Sequence, residues 1–259
     1  MVDPVADRGF GTRAAQYERG RPGWPGDAVT ALLERFGSGT VLDLAAGTGK
    51  LTRVLAERVD TVIAVEPVEG MREVLRERLP HVRAMSGTAE EIPVPDHSVD
   101  AVFVAEAFHW FDPQAAAAEM ARVVKPGGGI AVLWNELVWQ ETDWLQELHD
   151  TLVAHRLHDP PRGRDTTPWR EALEAEPGLG PLHDEEATHE HTLDREGQLA
   201  QIASFSWVGA LPPDRFEAAI AACRAVLEKH GIDQVTMTYR TLITWAQVNR
   251  AGESGPSAG

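Results

Sequence analysis

The chain has 259 residues, 43% of them hydrophobic, which is enough apolar material for one large domain with an insertion. Its formal net charge of −16 at pH 7 repels a polyanion, and no run of basic residues offers a local exception, so we exclude a nucleic-acid partner. The single cysteine, Cys223, excludes an internal disulfide, and neither a signal-peptide pattern nor an 18-residue apolar stretch occurs, so we expect a cytoplasmic protein without a membrane partner.

Between residues 41 and 134, short apolar runs alternate with patterns typical of helices. The runs predict strands, in the order TVLDLA, TVIAVEP, HVRAMSGTA, SVDAVFVAEA and GGGIAVLWN. The intervening segments predict helices, in the order GKLTRVLAERV, GMREVLRERL and DPQAAAAEMARVV. This alternation predicts right-handed βαβ units and a parallel sheet that helices cover on both faces. Such sheets bind ligands beyond the carboxyl ends of their strands, so we expect a site there.

Beyond residue 135 the pattern becomes mainly helical. Helices are predicted in ELVWQETDWLQELHDTLVAHRL, DREGQLAQIASFSW and PPDRFEAAIAACRAVLEKHG. Strands are predicted in PLHDEEATHEHTL and QVTMTYRTLITWAQV, and HDPPRGRDTTPWR is predicted to be a connection. The tail AGESGPSAG is small and polar, which predicts disorder.

The turn Gly47-Thr48-Gly49 follows the first predicted strand. A phosphate, a dinucleotide or a smaller nucleoside would each suit a glycine-bearing turn at this place. A phosphate-binding P-loop requires glycine where the chain has Leu44 and serine or threonine where it has Leu51. The phosphate interpretation therefore fails.

Two acidic residues beside this turn favour a nucleoside. A dinucleotide-binding turn has a third glycine where the chain has Thr52, and Asp43 would oppose a pyrophosphate but suits an ammonium group. Glu66 ends the second predicted strand nineteen residues after Gly47, the spacing of a carboxylate that accepts hydrogen bonds from both hydroxyls of a ribose. The residues therefore favour a ligand with a ribose and a neutral or cationic remainder, without phosphate.

Several stretches resemble, in order and at family spacing, the motifs of class I S-adenosylmethionine-dependent methyltransferases: VLDLAAGTGKLT, VIAVEP, GTAEEIPVPDHSVDAVFVAEAFHWFD and ARVVKPGGGIAVLWN. The resemblance is nearest to the small-molecule group that includes trans-aconitate methyltransferase and the quinone-biosynthesis enzymes. It implies S-adenosyl-L-methionine as cofactor. It also implies an α/β fold with a doubly wound, mostly parallel seven-stranded Rossmann-like sheet, an antiparallel last strand and a helical insertion after the fifth strand.

On this resemblance we divide the chain into segments. They are an N-terminal lid segment (1–30), a cofactor-binding core (31–135), a mainly helical substrate-cap insertion with a sheet strand (136–210), a C-terminal helix with the last core strand (211–250), and a disordered tail (251–259). The lid contains AAQYERGRPGWP, which resembles a segment that folds over the cofactor in this group. The alternative for it is a surface helix followed by a turn.

The resemblance also implies which residues bind the cofactor. Glu66 would hold the ribose, Tyr17 would stack near the sulfonium and Arg21 would meet the cofactor's carboxylate. The full set is Tyr17, Arg21, Asp43, Ala45, Gly47, Thr48, Gly49, Glu66, Pro67, Met71, Thr88, Ala89, Glu90 and Ala105. Ala45 stands where many members have glycine, which costs little if its φ is negative, and Thr88 stands where many have aspartate.

His109, just past the fourth predicted strand, is the candidate general base for a hydroxyl or carbon-acid acceptor. The alternative is a histidine that shapes the pocket. The candidate substrate contacts are Glu106, Trp110, Trp139, Trp169 and Trp207, although each tryptophan would also suit a core. Arginines of the insertion would instead suit an acidic acceptor: Arg156, Arg162, Arg164 and Arg170.

We predict no metal site, because the histidines at 155, 158, 189 and 191 lack a cysteine or carboxylate cluster at ligand spacing. The predicted function is methyl transfer by in-line displacement from S-adenosylmethionine to a small-molecule carboxylate, hydroxyl or carbon nucleophile. The alternatives are a non-catalytic or regulatory S-adenosylmethionine-binding protein and, after that, a nicotinamide-dependent oxidoreductase. We expect a monomer or homodimer.

Overall fold

The computed structural model describes residues 14–138, 142–157 and 164–249. Within these ranges one seven-stranded sheet has the order β3-β2-β1-β4-β5-β7-β6. Its strands are β1 (Thr40–Leu44), β2 (Thr61–Val65), β3 (Arg83–Met85), β4 (Val99–Ala105), β5 (Val124–Leu137), β6 (His183–Asp194) and β7 (Gln234–Gln247). The start of the predicted lid, residues 1–13, and the predicted disordered tail lie outside the described residues.

The pairing of the strands confirms the predicted doubly wound, mostly parallel sheet. Strands β1 to β5 pair in parallel, whereas β7 pairs antiparallel with both β5 and β6. The antiparallel last strand is therefore also confirmed. The strand order reverses between β1 and β4, and a ligand site is expected beyond the carboxyl ends of these two strands.

Helices flank the sheet on both sides. In the described residues they are α1 (Ala14–Gly20), α2 (Gly26–Phe36), α3 (Lys50–Ala56), α4 (Glu69–Arg78), α5 (Pro113–Val123), α6 (Asp143–Ala154), α7 (Trp169–Ala175), α8 (Arg195–Ala203), α9 (Ser206–Gly209) and α10 (Pro213–Lys229). Two of their starts have a capping aspartate. Asp112 accepts from the Ala115 N–H at 3.0 Å before α5, and Asp194 accepts from the Gly197 N–H at 2.6 Å before α8.

Alternate residues of the buried strands pack on opposite faces of the sheet. Val41 and Phe103 belong to an apolar cluster with α2, α3 and α4. Leu42 and Val102 belong to a second cluster with α5 and α7. The strands are therefore apolar on both faces, as expected for a parallel sheet that helices cover on both sides.

A third apolar cluster lies within the helices α6, α8, α9 and α10, which we term the cap. Leu148, Ile202, Val208 and Leu227 pack there, and the cluster buries Cys223 completely. The cap therefore has a small core of its own. This core is distinct from the two clusters that cover the sheet.

Two predicted elements differ from the structure. Glu136 and Leu137 open a segment predicted as a helix, but they end β5 and pair with Arg240 and Tyr239 of β7. A long partner strand overrides their helical periodicity. The helix α7 was not among the predicted helices. Trp169 and Leu173 lie one turn apart and are both buried, which is the helical spacing that could have indicated it.

Candidate functional site

The carboxyl ends of β1, β2 and β4 lie side by side, and the residue that follows each strand faces a common site: Ala45, Glu66 and Glu106. Ala45 and Glu106 both have a φ of 55°. This left-handed conformation costs an ordinary residue about 1–2 kcal/mol. Alanine would cost little at this position only with a negative φ, and this condition is not met at Ala45. Such strain is concentrated at functional sites.

One cavity, which we term the Glu66 cavity, opens beyond β1, β2 and β4. Its lining residues are Tyr17, Leu44, Ala45, Gly47, Glu66, Pro67, Val68, Met71, Gly87, Thr88, Ala89, Glu90, Ala105, Glu106, Ala107, Trp110 and Phe111. Among the described residues that line it there is no arginine or lysine. Met71, Trp110 and Phe111 supply apolar surface. This chemistry suits a flat ligand that donates hydrogen bonds and carries no phosphate.

Glu66 is the buried carboxylate of this cavity, with 5% of the residue exposed. The Gly47 N–H donates to Glu66 Oε2 at 2.9 Å, and the Val68 N–H donates to Glu66 Oε1 at 2.9 Å. Burial raises the pKa of Glu66, and these two N–H groups lower it. Each oxygen keeps a further lone pair. The backbone thus orients a carboxylate that can accept two more hydrogen bonds from a ligand.

A second cavity, which we term the Tyr239 cavity, lies between the sheet and the cap. Its lining residues are Tyr17, Arg21, Pro22, Trp24, Asp43, Ala45, Ala46, Gly47, Lys50, Leu51, Ala105, Glu106, Asn135, Leu137, Leu145, Leu148, His149, Leu152, Gln198, Gln201, Ile202, Phe205, Met237 and Tyr239. Five residues line both cavities, and we term this group the junction: Tyr17, Ala45, Gly47, Ala105 and Glu106. A ligand that crosses the junction would occupy part of both cavities.

Asp43 faces the Tyr239 cavity and is 1% exposed. Its Oδ2 accepts a hydrogen bond from Thr52 Oγ1 at 2.5 Å. Burial raises the pKa of Asp43 to about 7, the hydrogen bond from Thr52 opposes the rise, and the charge of Glu66 adds to it. A cationic ligand group beside Asp43 would stabilise its charged form.

Glu106 places a second carboxylate at the junction. Its Oε1 accepts from the Asn135 N–H at 2.5 Å, so the backbone of β5 fixes the side chain. Burial raises the pKa of Glu106, and the nearby charge of Arg21 lowers it. The junction therefore holds a half-buried acid whose charge is sensitive to what binds beside it.

The helix α1 covers the glycine turn. Thr48 Oγ1 donates to Glu18 Oε2 at 2.6 Å, and Glu18, 8% exposed, also pairs with Arg78 at 3.2 Å. On its other side α1 touches the cap so closely that a Cβ on Gly20 would lie 2.1 Å from the backbone nitrogen of Gln201. This helix thus bridges the turn and the cap.

Tyr17 and Arg21 carry the contacts from α1 into the site. Arg21 Nε donates to Ser204 Oγ at 2.9 Å, and the guanidinium lies 5.4 Å from the Tyr17 ring centroid and 5.2 Å from that of Phe205. Both Tyr17 and Arg21 line the Tyr239 cavity, and Tyr17 also lines the Glu66 cavity. The structure therefore brings both predicted lid residues to the site.

Some of the predicted site residues do not reach either cavity. Thr48 and Gly49 shape the turn, where Gly49 has a φ of 89°. His109 lines neither cavity and packs with Trp110 and Trp134, at 4.8 and 5.5 Å between ring centroids. The 3-10 helix Phe108–Trp110 turns His109 into this aromatic group instead of toward the junction.

The predicted substrate contacts separate in the same way. Glu106 and Trp110 line the Glu66 cavity. Trp169 packs in the sheet core at 5.8 Å from Trp134, and Trp207 packs within the cap. Trp139 lies outside the described residues.

Sequence reasoning missed most of the Tyr239 cavity. Its cap side comes from α6, α8 and β7, whose residues lie far apart in sequence, and none of these segments has a motif of its own. A weak signal existed for Tyr239, since it lies on the buried face of an alternating strand.

Metal and membrane features were also compared with the structure. In the described ranges, no group of three or more His, Cys, Asp and Glu side chains could hold a metal ion; His158 lies outside those ranges. No helix in the same ranges is long and apolar enough to cross a membrane.

Comparisons with known proteins agree with this geometry. A methyltransferase domain profile matches residues 42–132. The uncharacterized methyltransferase Rv3342 of Mycobacterium tuberculosis (strain ATCC 25618 / H37Rv) is 48% identical over 159 residues, which are 61% of this chain and 64% of that protein. The uncharacterized methyltransferase-like protein C25B8.10 of Schizosaccharomyces pombe (strain 972 / ATCC 24843) is 30% identical over 250 residues, 93% of this chain and 96% of that protein. The chain belongs to the class I S-adenosylmethionine-dependent methyltransferases.

A solved structure from Anaeromyxobacter dehalogenans, provisionally assigned as a type II methyltransferase, shares the fold of this chain. It has a TM-score of 0.66 and 24% identity, and the match covers 89% of this chain and 99% of that one. The family's cofactor is S-adenosylmethionine, and the chemistry of the site fits it. Glu66 offers hydrogen-bond acceptors to a ribose, and Asp43 offers a carboxylate to an ammonium group. Among the described residues that line the Glu66 cavity, none is a lysine or arginine that would favour a phosphate.

Proposed function

We propose that this methyltransferase transfers a methyl group from S-adenosylmethionine to a small molecule bound in the Tyr239 cavity. The main support for the proposal is the junction, because its residues line two cavities of different chemistry. An in-line displacement needs the methyl donor and the acceptor on opposite sides of one point. The junction provides such a point at the ends of β1 and β4.

In this proposal the residues around the Glu66 cavity bind the nucleoside. Glu66 accepts hydrogen bonds from the ribose hydroxyls, and Met71 and Phe111 contact the adenine. Asp43 receives the ammonium group on the other side of the junction. S-adenosylmethionine, when bound, supplies a methyl group on a positively charged sulfur. Tyr17 and Glu106 orient that charge, since an aromatic face and a carboxylate both attract a cation.

The enclosure of the site favours a small acceptor. The space not filled by atoms, open mouths included, is about 1300 Å³ in the Tyr239 cavity and about 830 Å³ in the Glu66 cavity. Residues of α1 and of the cap helices α6 and α8 line the Tyr239 cavity. Enclosure of this kind also keeps water from the reacting groups.

The proposal is tested by combining a binding and a transfer measurement. Calorimetry with S-adenosylhomocysteine is expected to give one site, and incubation with methyl-labelled S-adenosylmethionine and a panel of phenols, carboxylates and amines is expected to label a small molecule. The Glu66→Gln variant should weaken binding and lower transfer, whereas Glu69→Gln, which lies outside both cavities, should leave both unchanged. Absence of S-adenosylhomocysteine binding would contradict the proposal. Binding without transfer to any acceptor would favour the non-catalytic alternative.

A further inference from the structure

The cap side of the Tyr239 cavity is largely apolar, and its polar lining includes the imidazole of His149 on α6. Leu145, Leu148 and Leu152 of α6 face Ile202 of α8 and Met237 of β7 across it. The polar groups nearby include the side chains of Gln201 and Tyr239. An acceptor that fills this side must therefore bury an apolar body.

The positive charges of the region are engaged elsewhere. Arg21 and Lys50 are the arginine and lysine among the described residues that line the cavity; Arg21 bonds to Ser204, and Lys50 lies 3.9 Å from Glu18. In the insertion, Arg164 pairs with Glu136, and Arg170 pairs with Asp184. The cavity also contains the carboxylates of Asp43 and Glu106. A carboxylate acceptor would lie beside these two acidic groups, and Arg21 and Lys50 already have hydrogen-bond or ion-pair partners in the protein.

Tyr239 offers a hydrogen bond to a neutral oxygen. Its hydroxyl accepts from Gln201 Nε2 at 2.5 Å, which leaves its own O–H to donate. Burial raises the pKa of Tyr239, and the hydrogen bond from Gln201 opposes the rise. The positive charge of Arg21 lowers this pKa, and the negative charge of Glu106 raises it.

Glu106 is the group at the junction that can accept a proton from an acceptor hydroxyl. One of its oxygens is held by the Asn135 N–H, and the carboxylate lines both cavities. His109, the base expected from the sequence, lines neither. Proton acceptance in the transition state requires a base within hydrogen-bond reach, and Glu106 is placed where the reacting groups would meet.

We infer that the acceptor is an uncharged, largely apolar molecule with a phenol or enol hydroxyl, whose oxygen region is bound by Tyr239 and whose proton passes to Glu106. The inference rests on the proposed function and specifies its acceptor. A lone pair of the acceptor oxygen forms the new C–O bond, the C–S bond breaks with its electron pair returning to sulfur, and the hydroxyl proton moves to the Glu106 carboxylate. The products are a methyl ether and S-adenosylhomocysteine.

A matched pair of probes tests the acceptor class. 4-Hexylphenol and 4-hexylbenzoate have the same apolar body and differ in the neutral hydroxyl and the charged carboxylate. Calorimetry on the protein saturated with S-adenosylhomocysteine at neutral pH is expected to show the phenol binding at least about tenfold more tightly, the scale of one hydrogen bond. The Tyr239→Phe variant should weaken phenol binding about fivefold and leave S-adenosylhomocysteine affinity unchanged.

The proton step has its own readout. With 4-hexylphenol and S-adenosylmethionine, Glu106→Gln is expected to lower kcat by at least about 100-fold and to remove the limb of the kcat–pH profile that rises as Glu106 loses its proton. The control Glu186→Gln, on an exposed face of β6, should keep both rate and profile.

The outcomes distinguish failure of the inference from failure of the proposed function. If S-adenosylhomocysteine binds but the benzoate binds as tightly as the phenol, or neither probe binds, the inference is overturned and the proposed function stands. A Glu106→Gln variant with an unchanged pH profile would also overturn it. If S-adenosylhomocysteine does not bind the wild-type protein, the proposed function fails, and the inference fails with it.

Discussion

The Glu66 cavity and the Tyr239 cavity share the residues of the junction, yet they are formed by different kinds of structural element. The Glu66 cavity is formed by residues at or just after strand ends and in the loops that follow, and its key carboxylate is fixed by two backbone N–H groups. The cap side of the Tyr239 cavity is formed by side chains of α6, α8 and β7, which the sequence separates by dozens of residues. One cavity depends on the backbone of the sheet, and the other on helix packing.

This difference suggests that the two cavities bind different ligands. Groups that the backbone holds in place suit one fixed ligand. A cavity lining made of side chains on packed helices can be altered by single substitutions. The Glu66 cavity therefore has the properties of a cofactor site, and the cap side has those of a site for one particular acceptor. Changes at the sheet end should affect cofactor binding and folding, and changes in the cap should affect the acceptor alone.

The largest expected effect lies at the sheet end and depends on pH. Because burial raises the pKa of Asp43 to about 7, the folded protein keeps a proton between pH ~4 and ~7 that the unfolded chain has already released. Raising the pH through this window therefore lowers the free energy of unfolding, by about 1.4 kcal/mol per pH unit at most. Asp43→Asn should remove this dependence.

Urea unfolding of the ligand-free protein at several pH values measures the effect. The exposed Asp60→Asn variant serves as the control and should follow the wild type. Parallel curves for the wild type and Asp43→Asn would contradict the assignment of a buried, protonated Asp43.

The second prediction separates the two cavities directly. Glu66→Gln should weaken S-adenosylhomocysteine binding by about 1.5–3 kcal/mol, because it removes charge-assisted hydrogen bonds to the ribose. Leu148→Ala in the cap should leave this affinity nearly unchanged, since Leu148 lines the cap side. Calorimetry on both variants, with their thermal unfolding as a check of folding, makes the comparison. Equal losses in the two variants would refute the division between the cavities.

The third prediction concerns the link between the turn and α1. Thr48→Val removes the hydrogen bond to the buried Glu18 and should cost about 1 kcal/mol of stability. It should also speed the dissociation of S-adenosylhomocysteine, because α1 covers the turn. Thr30→Val, on an exposed face of α2, is the matched control. Stopped-flow dissociation rates that do not differ between these variants would argue against α1 as a cover for the cofactor.

The smallest expected effect is the relief of backbone strain. At Ala45, with a φ of 55°, substitution by glycine should stabilise the protein by up to about 1 kcal/mol, since glycine adopts this conformation freely. At the neighbouring Ala46, whose φ is not positive, glycine should destabilise it by about 0.5–1 kcal/mol through chain entropy. Urea unfolding of the two variants is the measurement, and changes of the same sign at both positions would contradict the strain at Ala45.

The sheet end was also the more predictable part of the molecule. The alternation of strands and helices predicts the parallel sheet, and the place of Glu66 follows from its position at the end of β2, nineteen residues from Gly47. Local periodicity and turn chemistry are enough for both conclusions. The positive φ of Ala45 could not be predicted, because alanine gives no sign of a left-handed conformation.

The cap end could not be predicted, for a physical reason. The contact of Tyr239 with Gln201 joins a strand and a helix that only tertiary packing brings together. His109 and Trp169 have the residue types of a site, but packing with Trp134 places both in an aromatic cluster. Residue type alone does not distinguish a pocket wall from a core, since both bury aromatic surface.

The central claim is that the cofactor occupies the Glu66 cavity and crosses the junction, which leaves the cap side to the acceptor. A crystal structure of the protein with S-adenosylhomocysteine tests this most directly. The account predicts both ribose hydroxyls within hydrogen-bond distance of Glu66, the amino group beside Asp43 and the sulfur at the junction next to Glu106. A nucleoside bound among the leucines of α6, or outside both cavities, would contradict it.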